Sequence, residues 1–177
     1  MHKLTKVFEE ANKSFLHDEN NFILSGVAER SLCGSLKSFI REELSKTTYE
    51  NYFVDIEYNR NQGKIKTIVN DDFQVVTVNC DLIIHSRGEV IEKDNLLALE
   101  MKKSTRPLNE KTKDRKRLIA LTKSSYDNVW SNDGITLPKH VCGYLLGIYY
   151  EINLQETTVQ IEYYCKGHLY IKYERKF

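Results

Sequence analysis

Only two of the 177 residues are proline, and no apolar run reaches the roughly 18 to 20 residues needed to span a bilayer. The first excludes a collagenous or proline-rich chain, and the second excludes a helical membrane protein. The start, Met1, His2, Lys3, Leu4, Thr5 and Lys6, has no apolar signal-peptide core, so the expected location is cytoplasmic. Net charge is nearly absent too: 26 Lys and Arg face 25 Asp and Glu, so the overall balance names no partner. Cys33, Cys80, Cys142 and Cys165 are few and scattered, which excludes a disulfide framework and suits reduced core residues. Cys165 and His168 offer two zinc ligands, but a second pair at comparable spacing is missing and four ligands are the norm. No internal repeat, linker, low-complexity tract, helix-turn-helix or zinc finger is recognisable.

What is present is an ordinary globular composition, 41% hydrophobic and 29% charged, in a length that suits one domain. Leu4, Val7, Phe8, Ala11 and Phe15 recur at helical spacing, and the polar cluster 17–21 closes that helix. A second helix is expected from an N-cap at Ser25 to Leu44, with Ala28, Leu32, Leu36, Phe39 and Ile40 as its apolar members. Gly26 and Gly34 either weaken it or mark close packing. Residues 52–58 read as a strand, 59–64 as its Gly-containing turn, 64–69 as a return strand and 71–72 as a second turn. From 73 to 85 the chain alternates. Val76, Val78, Cys80, Leu82 and Ile84 share one face, and Thr77, Asn79, Asp81, Ile83 and His85 the other.

After Pro107 a helix is expected over 112–123, burying Leu118, Ile119 and Leu121, and 131–134 reads as a loop. The nearly continuous apolar run 144–150 suits a strand covered on both faces, in a parallel pairing at the sheet centre. Residues 159–164 and 169–173 then form a terminal hairpin. Its tyrosines Tyr163, Tyr164, Tyr170 and Tyr173 suit a dimer interface or cross-strand packing equally well.

Two segments carry unusual charge. In residues 79–84 and 96–102, carboxylates interrupt otherwise apolar strands. Glu100 and Lys102 are two residues apart, so in an extended chain they share a face, roughly 7 Å apart, while Leu97, Leu99 and Met101 take the other. An ion pair at a strand end is the ordinary reading, worth at most about 1 kcal/mol if exposed. With Asp81 ending a neighbouring strand, the same residues suit a hard divalent cation and a phosphate. Glu29, beside the apolar stripe of its helix, fits either a first-turn acid favoured by the helix dipole or a carboxylate aimed at a metal. Glu57 fits a solvent-facing strand acid or a ligand of a second ion, and His85 a surface histidine or a phosphate contact. Between Lys102 and Arg117, eight basic residues face only Glu110 and Asp114, an arrangement that suits a solvated helix or a phosphate-backbone surface.

The order of these elements, a helix with Glu29, strands carrying Glu57, Asp81, then Glu100 and Lys102, a basic helix and a buried strand, resembles the PD-(D/E)xK superfamily of restriction-endonuclease-like nucleases. The resemblance covers about 29–150. Residues 54–60 also look like a stretch of small bacterial members whose roles are mostly unassigned. It implies an α/β fold with an αβββαβ core, about 25–152, in a single domain 1–177, with an added N-terminal helix and C-terminal β-hairpin. It further implies a metal-dependent nuclease acting on DNA, with Mg²⁺, or Mn²⁺, held by Asp81, Glu100 and Glu29, and by Glu57 if a second ion is used. Lys102 would be the motif lysine, managing water or phosphate. Lys103, Arg106, Lys113 and Arg117 would contact nucleic acid, and a homodimer or larger nucleoprotein complex would allow both strands to be cut. The alternative is a non-cleaving nucleic-acid-binding or complex-subunit protein of the same fold. One departure stands out: Cys80 occupies the position of the motif proline, which shapes the strand and ligates nothing.

Overall fold

The structure is a computed structural model that describes residues 2–58, 60–61, 64–65, 67–69, 75–77, 79–123 and 143–177. Helix α1 (His2–Asp18) buries the expected stripe of Leu4, Val7, Phe8, Ala11 and Phe15. The next helix breaks in two, α2 (Asn20–Leu24) and α3 (Glu29–Ser45). Ser25 caps the C-terminus of α2 instead of opening α3, because Gly26 follows at φ +75°, a left-handed turn that a continuous helix cannot contain. Glu29 is thereby the first residue of α3, where the helix dipole favours an acid.

The strands are β1 (Phe53–Ile56), β2 (Arg60–Asn61), β3 (Lys64–Ile65), β4 (Thr67–Val69), β5 (Val75–Thr77), β6 (Leu82–His85), β7 (Asn95–Lys103), β8 (Leu146–Asn153), β9 (Thr158–Cys165) and β10 (His168–Lys176), with α4 (Leu108–Leu121) between β7 and β8. Six of them form one mixed sheet in the order β1-β6-β7-β8-β9-β10, while β2 with β3 and β4 with β5 make two small antiparallel ladders. Neighbours in the large sheet run antiparallel except β7 and β8, which are parallel and joined through α4. The expected turn at 71–72 and loop at 131–134 lie outside the described residues, as does Cys142. Cys33, Cys80 and Cys165 carry free thiols.

Helices α1 and α3 cover one sheet face, where Leu82, Ile84, Leu97, Leu99, Met101, Ile148 and Tyr150 meet Phe8, Phe15, Leu32 and Leu36. Helix α4 covers the other with Leu118, Ala120 and Leu121 against Ile83, Ala98 and Tyr149. The apolar run read as a central parallel strand is β8, buried on both faces because both helical layers close over it. Gly147 lets α4 come that close: a Cβ there would lie 3.0 Å from Thr122 Cγ2 and 3.2 Å from Tyr164 Cβ.

The alternation expected over 73–85 breaks in the middle. β5 belongs to a separate ladder, a bend at Asp81 resets the phase, and Cys80 packs with Ile83 on the α4 side rather than with Leu82 and Ile84. Among the terminal tyrosines, Tyr163 and Tyr164 are buried within the sheet layers, whereas Tyr170 stands 61% exposed on the edge strand β10. No helix among the described residues is long and apolar enough to cross a membrane.

Candidate functional site

Strand β7 presents Glu100 and Lys102 to the α4 side, as its period of two requires, while Leu97, Leu99 and Met101 face α3. Register carries Asp81 to them. Leu82 pairs with Leu99, so the residue before it arrives level with Glu100, and Asp81 Oδ2 accepts the Met101 backbone N–H at 2.8 Å. From the other direction α3 delivers Glu29 to the end of the same strand. Its Oε1 accepts the Lys103 N–H at 2.9 Å and the Arg106 Nε at 3.0 Å. Asp81, Glu100, Lys102 and Glu29 therefore gather at one end of β7.

Helix α4 adds Asp114 and Arg117, both within the basic stretch between Lys102 and Arg117, and Arg117 is turned to the acids rather than to a partner. Asp114 is 5% exposed, and its position one turn before Leu118 and two before Leu121 puts it on the buried stripe of the helix. That spacing was a signal in the sequence. Lys102 Nζ stands 3.0 Å from Asp114 Oδ2 and 3.7 Å from Asp81 Oδ2. Arg117 Nη1 stands 2.5 Å from Glu100 Oε1 and 3.2 Å from Asp114 Oδ1. Each cation thus lies between two carboxylates, and Asp114 is common to both pairs. The buried Asp114 Oδ2 is neutralised by the Lys102 ammonium, and Oδ1 by Arg117.

Burial dominates the electrostatics. It pushes the Glu100 carboxyl up to about 8, against the opposing charge of Arg117 and with the help of Asp81 and Asp114. Asp81 is raised for the same reason, less the pull of Lys102 and the Met101 N–H. Burial also acts on Glu29, but hydrogen bonds from Arg106 and Lys103 outweigh it and hold this carboxyl below its ordinary value. Lys102 loses some proton affinity to burial, and the charges of Asp81 and Asp114 more than restore it, so the ammonium stays protonated.

The remaining predicted residues are placed differently. Glu57, at the left-handed φ of +49°, lies 3.3 Å from Arg30 at the rim, and its backbone N–H reaches Asp81 O. His85 is not a surface histidine. It is 1% exposed, with Nε2 3.0 Å from Asp55 Oδ2, a carboxylate that Arg87 also grips through two hydrogen bonds.

Much of the basic run is tied to the fold. Lys103 Nζ donates to Gly26 O, Arg106 pairs with Glu29, Lys111 with Glu151, and Arg115 with Glu162 while lying over the Tyr149 ring. Arg117 belongs to the acid cluster, and Lys113 and Lys116 are the exposed lysines of α4.

Four carboxylates, Glu29, Asp81, Glu100 and Asp114, gather at this end of the sheet, each paired with Lys102, Arg106 or Arg117. No three His, Cys, Asp or Glu side chains among the described residues converge on one point as they stand. Lys102 and Arg117 lie between the acids, and a divalent ion there would have to displace at least one of them. No family model matches the chain, and no match is found among curated proteins or solved structures.

Proposed function

We propose that this chain is a metal-dependent nuclease with a restriction-endonuclease-like core, hydrolysing phosphodiester bonds of DNA. The observation that carries the reading is the meeting of Asp81, Glu100, Lys102 and Glu29 at one end of β7, from three separate elements. The run α3, β1, β6, β7, α4, β8 supports the αβββαβ order, with the two small ladders inserted between β1 and β6.

In this reading Asp81 and Glu100 hold Mg²⁺ or Mn²⁺, with Glu29 beside them and Glu57 at the margin. Such an ion, when bound by these acids, would supply Lewis-acid chemistry to water and to a phosphodiester. Lys102, kept protonated between Asp81 and Asp114, donates to the phosphate or to the attacking water. Glu100 sits where water is excluded, which strengthens each of these charge interactions. A second reading, a non-cleaving nucleic-acid-binding or complex-subunit protein of this fold, draws on Arg117 and Arg106 already neutralising two of the acids.

Cleavage of labelled single-stranded, duplex and branched DNA, with Mg²⁺, Mn²⁺ or EDTA, separates the two. Asp81→Asn and Lys102→Ala are each expected to lower the rate at least about a hundredfold. Cleavage that survives in EDTA or in either variant removes the mechanism, and DNA retention without cleavage in any metal favours the second reading.

A further inference from the structure

Strand β10 closes one end of the six-stranded sheet, and no strand among the described residues pairs with its outer edge. Backbone N–H and C=O groups along such an edge are open to another strand, a liability that proteins usually blunt. β10 is exposed along most of its length, and Leu169, Tyr170 and Ile171 stand 51%, 61% and 43% exposed in succession. Large apolar side chains so placed mark a contact surface rather than a solvated edge.

The strand also carries two devices that ordinarily keep edges apart. A bulge between Leu169 and Ile171 interrupts the ladder with β9, and Lys172, Arg175 and Lys176 charge the rest. Glu174 changes the effect of that charge. Lys172 pairs with Glu162 and Glu174 with Gln160, so the two share the sheet face on which α4 lies. Directly opposite residues in an antiparallel pair both turn their hydrogen-bonding groups inward or both outward, so a strand meets its own copy only with a residue on the two-fold axis. Beyond the bulge every position of β10 except Ile171 and Tyr173 is charged, and an axis at any of those sets a charge against itself. An axis at Ile171 draws the bulge into the ladder. At Tyr173, Lys172 of each copy faces Glu174 of the other, and Ile171 faces Arg175.

We propose that β10 pairs antiparallel with β10 of a second copy of this chain, about a two-fold axis at Tyr173. Lys172–Glu174 pairs flank the axis on both sides, and the two sheets join into one with α4 of both copies on the same side. The charged edge thereby selects one register instead of repelling every strand. Lys172 is available for this role: it stands 3.4 Å from Glu162 with its side chain 52% exposed, and Arg115 already holds that acid through two hydrogen bonds. The pairing needs nothing from the metal-dependent reading above.

Sedimentation velocity of the whole chain over about 1–100 µM reads the association, and the native chain is expected to dimerise within that range. Glu174→Lys and Lys172→Glu each set like charges opposite one another, and each is expected to weaken the dimer at least about tenfold. An equimolar mixture of the two variants has opposite charges at both positions, so it is expected to recover association as a heterodimer. A monomeric native chain overturns the proposal and leaves the edge to an extended segment of another protein. Native-like dimerisation of either variant alone, or no recovery in the mixture, overturns it as well. If Lys172→Glu melts below the assay temperature, beside Glu162 as it is, amide hydrogen exchange of the native chain takes its place. Exchange over residues 171–175 is expected to slow as concentration rises through the same range, and exchange there that ignores concentration overturns the pairing.

Discussion

Glu100 is a carboxyl whose burial works against its ionised form. It sits on a strand buried on both sides, and its carboxyl is pushed up to about 8. An acid whose folded pKa exceeds its unfolded value of about 4.3 takes stability away as pH rises between the two. The unfolded chain then releases a proton that the folded chain keeps. Glu100→Gln, which cannot ionise, is therefore expected to gain melting temperature relative to the native chain as pH is raised from about 4 to about 9, and to lose cleavage if the proposed nuclease reading holds. A pH-independent difference between the two melting curves removes this account of Glu100. At this scale Glu100 and Lys102 were legible, because a period of two needs only the order of residues. Asp114 was legible as well, through its spacing to Leu118 and Leu121, but it was submerged in a run otherwise notable for positive charge. The pairing of His85 with Asp55 left no such trace: the two are 30 positions apart and meet only through strand register.

Among the elements, those with one strong period emerged as expected. α1, β7 and β8 each bury the residues their patterns required. Boundaries set by backbone conformation did not, as the break at Gly26 and the reset at Asp81 illustrate. Hydrophobic spacing records which side chains face inward and says little about where φ changes sign. The two internal glycines of α3 and β8 make this testable. Gly34 in α3 would place a Cβ 3.9 Å from Ile56 Cδ1, an ordinary contact, so Gly34→Ala is expected to stabilise by about 0.5–1 kcal/mol through helix propensity. In contrast, Gly147→Ala meets Thr122 and Tyr164, and is expected to destabilise by about 1–3 kcal/mol by forcing α4 off β8. Denaturant unfolding of both variants reads the difference. The same displacement would move Asp114 and Arg117 relative to Glu100, so if the chain is the nuclease proposed above, cleavage by Gly147→Ala should fall further than its stability alone accounts for.

Over the whole molecule the net charge of +1 hides a sorted distribution. Most of the basic run is spent on fixed partners: Arg106 on Glu29, Lys111 on Glu151, Arg115 on Glu162 and Arg117 on Glu100. Lys113 and Lys116 remain exposed on α4. If DNA lies along this helix, Lys113→Glu combined with Lys116→Glu should weaken binding equally across sequences and lower the slope of log affinity against log salt by about two. Filter binding over a salt series measures it, and an unchanged slope places the DNA elsewhere.

From the sequence alone followed the helix and strand periods, the shared face of Glu100 and Lys102, and the central place of β8, since each depends only on residues close in the chain. The tertiary structure decided which of the charges meet. Asp81 reaches Glu100 by antiparallel register, Glu29 arrives because α3 restarts after Gly26, and Asp114 and Arg117 arrive because Gly147 admits α4 to the sheet. Whether a basic residue binds a partner or the fold's own acids depends on what packing brings within a few ångströms, and no local pattern records that distance.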